Sequence, residues 1–236
     1  MAAQLPLQIA LRPAARLDGF VAGSSGEALH AVTAMARGTG ERFLFLHGPA
    51  GTGKTHLLAG ACNLAASHGL RCAFLPLAEA MALSPEALDG LEAFDLVCLD
   101  DVDRVASDPA WERALFIFYN ALRERPGRLV AAAAVPPSAL PLRLPDLSSR
   151  LAWGLTLAVQ PLVGDALAQA LRTAAAARGL DLGAEVAAYL LRRFPRNLPA
   201  LLALLERLDD ASLAAKRPLT VPFVRSILRD GARADP

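Results

Sequence analysis

Gly48-Pro49-Ala50-Gly51-Thr52-Gly53-Lys54-Thr55 is a complete G-x-x-x-x-G-K-[ST] phosphate loop. Arg42 to His47 before it is a mostly apolar run of strand length, and His56 to Ala65 after it carries helical spacing. Strand, glycine loop and helix are the context this motif needs. Gly48, Gly51 and Gly53 let the backbone turn amide N–H groups and the helix N-terminus towards phosphate oxygens, with Pro49, Ala50 and Thr52 completing the cradle. Lys54, one of only two lysines in the chain, would reach the outer phosphates, and Thr55 would offer its hydroxyl to Mg²⁺. The plainer alternative is a glycine-rich turn without a ligand.

The remaining composition narrows the setting. A chain of 236 residues with 54% hydrophobic side chains and a mean hydropathy of +0.35 is long and apolar enough to bury a real core, which excludes disorder. A net charge of +1 provides no broad footprint for nucleic acid or an anionic membrane surface. The longest uncharged stretches, Leu129 to Leu142 and Leu151 to Gly164, fall short of the roughly 18 residues of a membrane span. Because the first positive side chain is Arg12, no secretory leader is expected, and the chain reads as cytoplasmic. Cys62, Cys72 and Cys98 lie far apart in apolar runs without metal-ligand spacing, as buried thiols of a reducing compartment.

Along the chain, residues 1 to 12 read as an extended tail, 13 to 161 as an α/β nucleotide-binding subdomain, 162 to 230 as a helical lid and 231 to 236 as a second tail. Further strands are expected at Arg71 to Pro76, Asp95 to Asp100, Leu129 to Ala134 and Leu155 to Gln160. Their alternation with helices predicts a five-stranded parallel sheet covered on both faces, although the alanines of the fourth run are poor strand formers. Beyond Pro161 the pattern is helical only. Asp165 is expected to cap a helix ending at Arg178 before Gly179, followed by helices over Ala184 to Phe194 and Leu198 to Leu213 and one capped by Thr220. Leu190, Leu201, Leu205 and Leu208 read as lid core, Trp111 and Trp153 as packing residues, and Arg123-Glu124-Arg125 as a solvated helix end.

Leu96-Val97-Cys98-Leu99-Asp100-Asp101 is an apolar strand ending in two carboxylates. Asp100 can hold Mg²⁺ through water, and Asp101 can orient or deprotonate an attacking water. A capped turn would carry the same residues, but the phosphate loop upstream favours the nucleotide reading.

With these motifs the chain resembles AAA+ ATPases of the DnaA family, most of all the branch that regulates the initiator. Phe20-Val21-Ala22-Gly23 is similar to the segment with which that family closes over adenine, and Leu144 to Gly154 resembles its box holding the arginine finger, which would make Arg150 that residue. Thr220 to Leu228 looks like the regulatory branch's end; with eight residues after Leu228, no helix-turn-helix DNA-binding domain is expected. Gln4-Leu5-Pro6-Leu7-Gln8-Ile9 is similar to a peptide that binds the DNA polymerase III beta sliding clamp. Leu5, Leu7 and Ile9 would enter an apolar cleft while the Gln4 amide anchors one end.

The resemblance implies ATP or ADP with Mg²⁺ as cofactors, the DnaA initiator and the sliding clamp as partners, and negative control of replication initiation. It implies no direct specific DNA binding and no membrane, and leaves self-association open. The family's sensor positions are broken. Ala134 stands where an acidic or amide side chain is expected, and Pro199 where the second sensor arginine should lie, with Arg196 one turn earlier. Loss of both predicts weak or absent intrinsic hydrolysis. Two other readings stay open: a self-sufficient AAA+ ATPase such as a helicase loader, and a DnaA-like initiator relative.

Overall fold

The computed structural model describes residues 15–80 and 84–231. In chain order the first unit contains α1 (Gly26–Ala36), β1 (Phe43–His47), α2 (Lys54–Ser67), β2 (Cys72–Pro76), the single turn α3 (Leu77–Ala80), β3 (Leu96–Asp100), α4 (Pro109–Arg123), β4 (Arg128–Ala133), α5 (Pro145–Leu151) and β5 (Leu155–Ala158). The five strands form one sheet in the order β2-β3-β4-β1-β5, every neighbouring pair parallel. Strand β4 therefore lies between the strand that feeds the phosphate loop and the strand that ends in Asp100.

Alternate side chains of each strand feed two separate cores, as the pleat requires. Phe45, Val97, Leu99, Leu129, Ala131 and Ala133 join α4 and α5 on one face. Leu44, Leu46, Leu96, Cys98, Val130 and Ala132 join α1 and α2 on the other. The alanines of β4 are strand residues because both of their faces are buried, which overrides weak propensity. Helix α4 starts where Pro109 follows Asp108, whose carboxylate accepts the N–H groups of Ala110 and Trp111 at 2.9 and 3.2 Å. It buries Trp111, Leu115, Phe118, Tyr119 and Leu122 along one stripe.

The second unit comprises Val21–Gly23 and the residues from Pro161 onwards. It contains α6 (Gly164–Ala177), α7 (Ala184–Arg193), α8 (Leu198–Ala215) and α9 (Val221–Gly231) around a leucine core that includes Leu190, Leu201, Leu205 and Leu208. Asp165 does not cap α6: the helix begins a residue earlier, at Gly164, with Val163 in the capping position and no side-chain cap, so Asp165 stands in the first turn, where its charge favours the helix N-terminus. Thr220 does cap α9, accepting the Phe223 N–H at 3.4 Å.

The cysteines, distant in sequence, are neighbours in space. The Cys72 thiol donates to the Cys62 carbonyl at 3.1 Å and the Cys62 thiol to the Ala73 carbonyl at 3.6 Å, and all three cysteines are free thiols. Cys72 is half-buried, not buried as its apolar run suggested. Among the described residues no group of three or more His, Cys, Asp or Glu is placed to hold a metal. No described helix is long and apolar enough to cross a membrane.

Candidate functional site

Strand β1 delivers the chain to the phosphate loop, where Gly48 N–H still donates to the Ala133 carbonyl at 3.3 Å. The loop closes at Gly53, the N-cap of α2, in the left-handed region at φ +99°. A Cβ at Gly53 would also meet the Phe20 ring at 2.7 Å, so glycine is required both by the turn and by the approaching ring. Phe20 is thereby placed against the loop, with its ring centroid 5.8 Å from that of His56. Thr52 Oγ1 donates to the Pro49 carbonyl at 3.0 Å and holds the turn shut.

Lys54 is buried, with 8% of its surface exposed, and its ammonium donates to the carbonyls of Gly48 at 2.6 Å and Pro49 at 3.1 Å. Burial lowers its pKa; Asp100, Asp101 and Asp103 oppose that shift. His47 is lowered too, by burial first and by the Lys54 charge second.

Across β4 stand the carboxylates. Asp100 is 1% exposed, and its pKa is raised chiefly by burial, with a hydrogen bond from the Thr55 hydroxyl working against the shift. The Asp101 N–H donates to Asp100 Oδ1 at 3.0 Å, and Asp101 itself turns out at φ +56° into a 3₁₀ turn over Val102–Arg104. That turn carries a residue missing from the sequence reading. Asp103 Oδ1 accepts the N–H of Ala134 at 3.0 Å. Its signal in sequence was the carboxylate spacing itself, since a tight turn returns the second residue after Asp101 to the same sheet edge.

The residues present fit a phosphate chain with its cation. A helix N-terminus, a buried ammonium and a hydroxyl paired with a buried carboxylate converge at one edge of the sheet. Thr55 and Asp100 are the groups that would hold Mg²⁺, which would supply charge neutralisation there. Ala134 brings no polar side chain to this edge. Val21 belongs to the second unit, as do Arg196, which is exposed, and Pro199, which lies in the first turn of α8 while Asn197 caps that helix by accepting the Ala200 N–H at 2.8 Å. Gln4, Leu5, Leu7 and Ile9 lie outside the described residues.

Arg150 lies elsewhere. It is half-buried near the end of α5, just before β5, whose Leu155 pairs with Leu44 near the start of β1. The phosphate loop follows the other end of β1. Phe43 to His47 spans about 13 Å at roughly 3.3 Å per residue, so Arg150 and the loop lie towards opposite ends of the parallel strands β1 and β5. Trp153, expected to pack, is 55% exposed, and Arg123, expected to be solvated, lies with its guanidinium carbon 3.4 Å from the centre of the Trp153 ring. Tyr119 is buried beside this group, and its hydroxyl has no partner among the described residues.

The family model of the bacterial DnaA ATPase domain matches residues 11–158, and that of the Hda lid domain matches residues 165–228. Domain III of the replication initiation protein DnaA from Thermotoga maritima is similar in structure, with a TM-score of 0.80 at 22% identity over 92% of this chain and 97% of that one. The AMPPCP-bound DnaA of Aquifex aeolicus gives 0.72 at 24% identity over 86% of this chain and 67% of that one. RuvB from Thermotoga maritima gives 0.69 at 19% identity, covering 93% and 72%. These three likenesses bear on the fold.

Proposed function

This chain belongs to the bacterial DnaA ATPase domain family, within the AAA+ proteins, and on that footing we propose that it is a nucleotide-holding regulator that shuts down replication initiation. It docks on the DNA polymerase III beta sliding clamp through Gln4, Leu5, Leu7 and Ile9 and stimulates hydrolysis of ATP held by the DnaA initiator through Arg150. The observation that carries the reading is the placement of Arg150. An arginine at the strand ends opposite its own phosphate loop is out of reach of its own nucleotide and suited to a neighbour's. Supplied in trans, such a group is worth about 10³ to 10⁵ in rate.

The chain's own loop serves a different purpose in this proposal. Gly48 to Thr55, Asp100 and Phe20 hold ATP or ADP with Mg²⁺ in a nucleotide-binding subdomain over residues 13 to 161, with residues 162 to 230 as its lid. Ala134 and Pro199 supply neither a sensor group for the attacking water nor a sensor arginine for the outer phosphate, so intrinsic turnover is slow, with Asp101 as its general base. The protein works in the cytoplasm as an activator of another ATPase.

A reconstituted assay with ATP-loaded initiator and clamp on DNA tests this. Arg150→Ala should abolish stimulated hydrolysis and leave clamp binding intact, while replacing Gln4 and Leu5 together by alanine should lose clamp binding. Normal stimulation by Arg150→Ala overturns the reading.

A further inference from the structure

Two guanidiniums share one exposed indole at the end of the sheet that carries Arg150. Arg123, from the last turn of α4, stacks 3.4 Å from the Trp153 ring centre, and Arg150 lies 5.9 Å from the same centre. Both distances are within the roughly 6 Å over which a ring face attracts a cation. The described residues contain three ion pairs, Arg16 with Asp18, Arg71 with Asp95 and Arg178 with Glu206, and none includes Arg123 or Arg150.

The backbone that carries the ring is firmly placed. The backbone N–H of Trp153 donates to the Arg150 carbonyl at 3.2 Å, tying the two residues through the turn that ends α5. A Cβ at Gly154 would fall 2.0 Å from the Phe43 carbonyl oxygen, so the chain next to Trp153 lies flush against β1 and cannot shift sideways. Leu147 and Leu151 anchor the helix beneath.

An arginine that is to stabilise a neighbour's phosphate faces two opposed demands. It must be held in place, since a misplacement of 1 Å can cost on the order of 10²-fold in rate. It must also keep its charge free, because a carboxylate partner would neutralise it and compete with the phosphate. An aromatic face satisfies both demands, attracting the guanidinium without carrying a net charge.

We infer that Trp153 is the positioning residue for Arg150, with Arg123 clamped on the same indole to fix the ring; this rests on the reading of Arg150 as a group acting in trans.

The test measures stimulated hydrolysis of ATP on the DnaA initiator as a function of regulator concentration, with clamp and DNA present, for the full chain and for Arg150→Ala, Trp153→Ala, Trp153→Phe and Arg123→Ala. Trp153→Ala should lower the maximal rate roughly ten- to a hundredfold, with the half-saturating concentration within about twofold of the parent. Trp153→Phe, which keeps a ring face, should recover to within about threefold of the parent, and Arg123→Ala should lose about three- to tenfold. Thermal melting checks that the variants fold, and Arg123→Ala, which removes a half-buried surface side chain, carries the test should Trp153→Ala unfold. If Arg150→Ala is inactive while both Trp153→Ala and Arg123→Ala stimulate like the parent, the positioning role is overturned and the in-trans reading stands. If Trp153→Ala raises only the half-saturating concentration, the ring is a docking contact and the inference is likewise wrong. If Arg150→Ala stimulates normally, the in-trans reading fails and this inference fails with it.

Discussion

Asp103 Oδ1 accepts the backbone N–H of Ala134 at 3.0 Å, which fastens the turn after β3 to the end of the neighbouring strand β4. The bond crosses the same edge at which Lys54, Thr55 and Asp100 meet, and the Asp103 charge favours the protonated form of Lys54. The position expected to hold a sensor side chain thus contributes its backbone to the carboxylate cluster.

Removing that bond should loosen the edge. Asp103→Ala is expected to lose about 1 to 2 kcal/mol in urea unfolding, the lower part of the range for hydrogen bonds to charged groups because Asp103 is only half-buried. Asp103→Asn keeps an acceptor and should lose less. Equal stability of all three proteins would show that the bond is not formed in solution.

Lys54 should matter far more for nucleotide than for folding. Lys54→Met is expected to weaken MgADP binding by about 100-fold or more in calorimetric titration, in keeping with a lost charge-assisted contact. The sign of its pH dependence follows from burial. A base whose folded pKa is depressed takes up its proton less readily in the fold than in the unfolded chain, so stability rises as pH climbs from the folded value towards the ordinary 10.5. That rise should be present in the parent's urea midpoints and absent from Lys54→Met.

Tyr119→Phe should stabilise the protein. The hydroxyl is buried without a partner, and deleting it should gain up to about 1 kcal/mol. Burial pushes the Tyr119 phenol up from 10 to about 12, against the pull of Arg123, Arg150 and Arg42. Between those values the folded protein keeps a proton that the unfolded chain releases, so the parent loses stability as pH rises through the window. The phenylalanine variant lacks this loss, and its advantage should widen above pH 10 in denaturation curves.

Glu112 is 2% exposed, and its carboxylate accepts the N–H groups of Ser107 at 2.8 Å, Arg143 at 3.0 Å and Leu144 at 2.7 Å. It ties the start of α4 to the segment leading into α5. Glu112→Ala leaves these donors orphaned, and a cost of about 3 kcal/mol or more is expected in urea unfolding. Because α5 carries Arg150, stimulated hydrolysis should fall in parallel even under conditions where the variant stays folded.

The fold was legible where chemistry and pattern coincide. Gly48 to Thr55, the apolar run into Asp100 and the switch to helices after Pro161 each carry a local signal, and their elements lie within a residue or two of expectation. What stayed hidden depends on which strands become neighbours. Nothing local in Leu129 to Ala133 says that it runs between β1 and β3, and without that placement Ala134 and Asp103 cannot be paired. The same holds for Cys62, Cys72 and Cys98, and for Trp153, whose partner Arg123 lies thirty residues earlier in sequence. Glu112 has no local signal, because its three donors sit in loops outside the helix pattern around it.

Strand β4 ends in Ala131, Ala132 and Ala133, each no more than 1% exposed. No residue except glycine is smaller, so nearly every mutation there is an enlargement, and enlargements in a packed interior cost about 1 to 3 kcal/mol. Sequence drift in this strand is therefore one-sided: larger side chains become tolerable only after neighbours in the flanking helices have shrunk. The spacing between the phosphate loop and the carboxylates is guarded by the scarcity of room, a constraint that a survey of polar or charged residues at the site would never register.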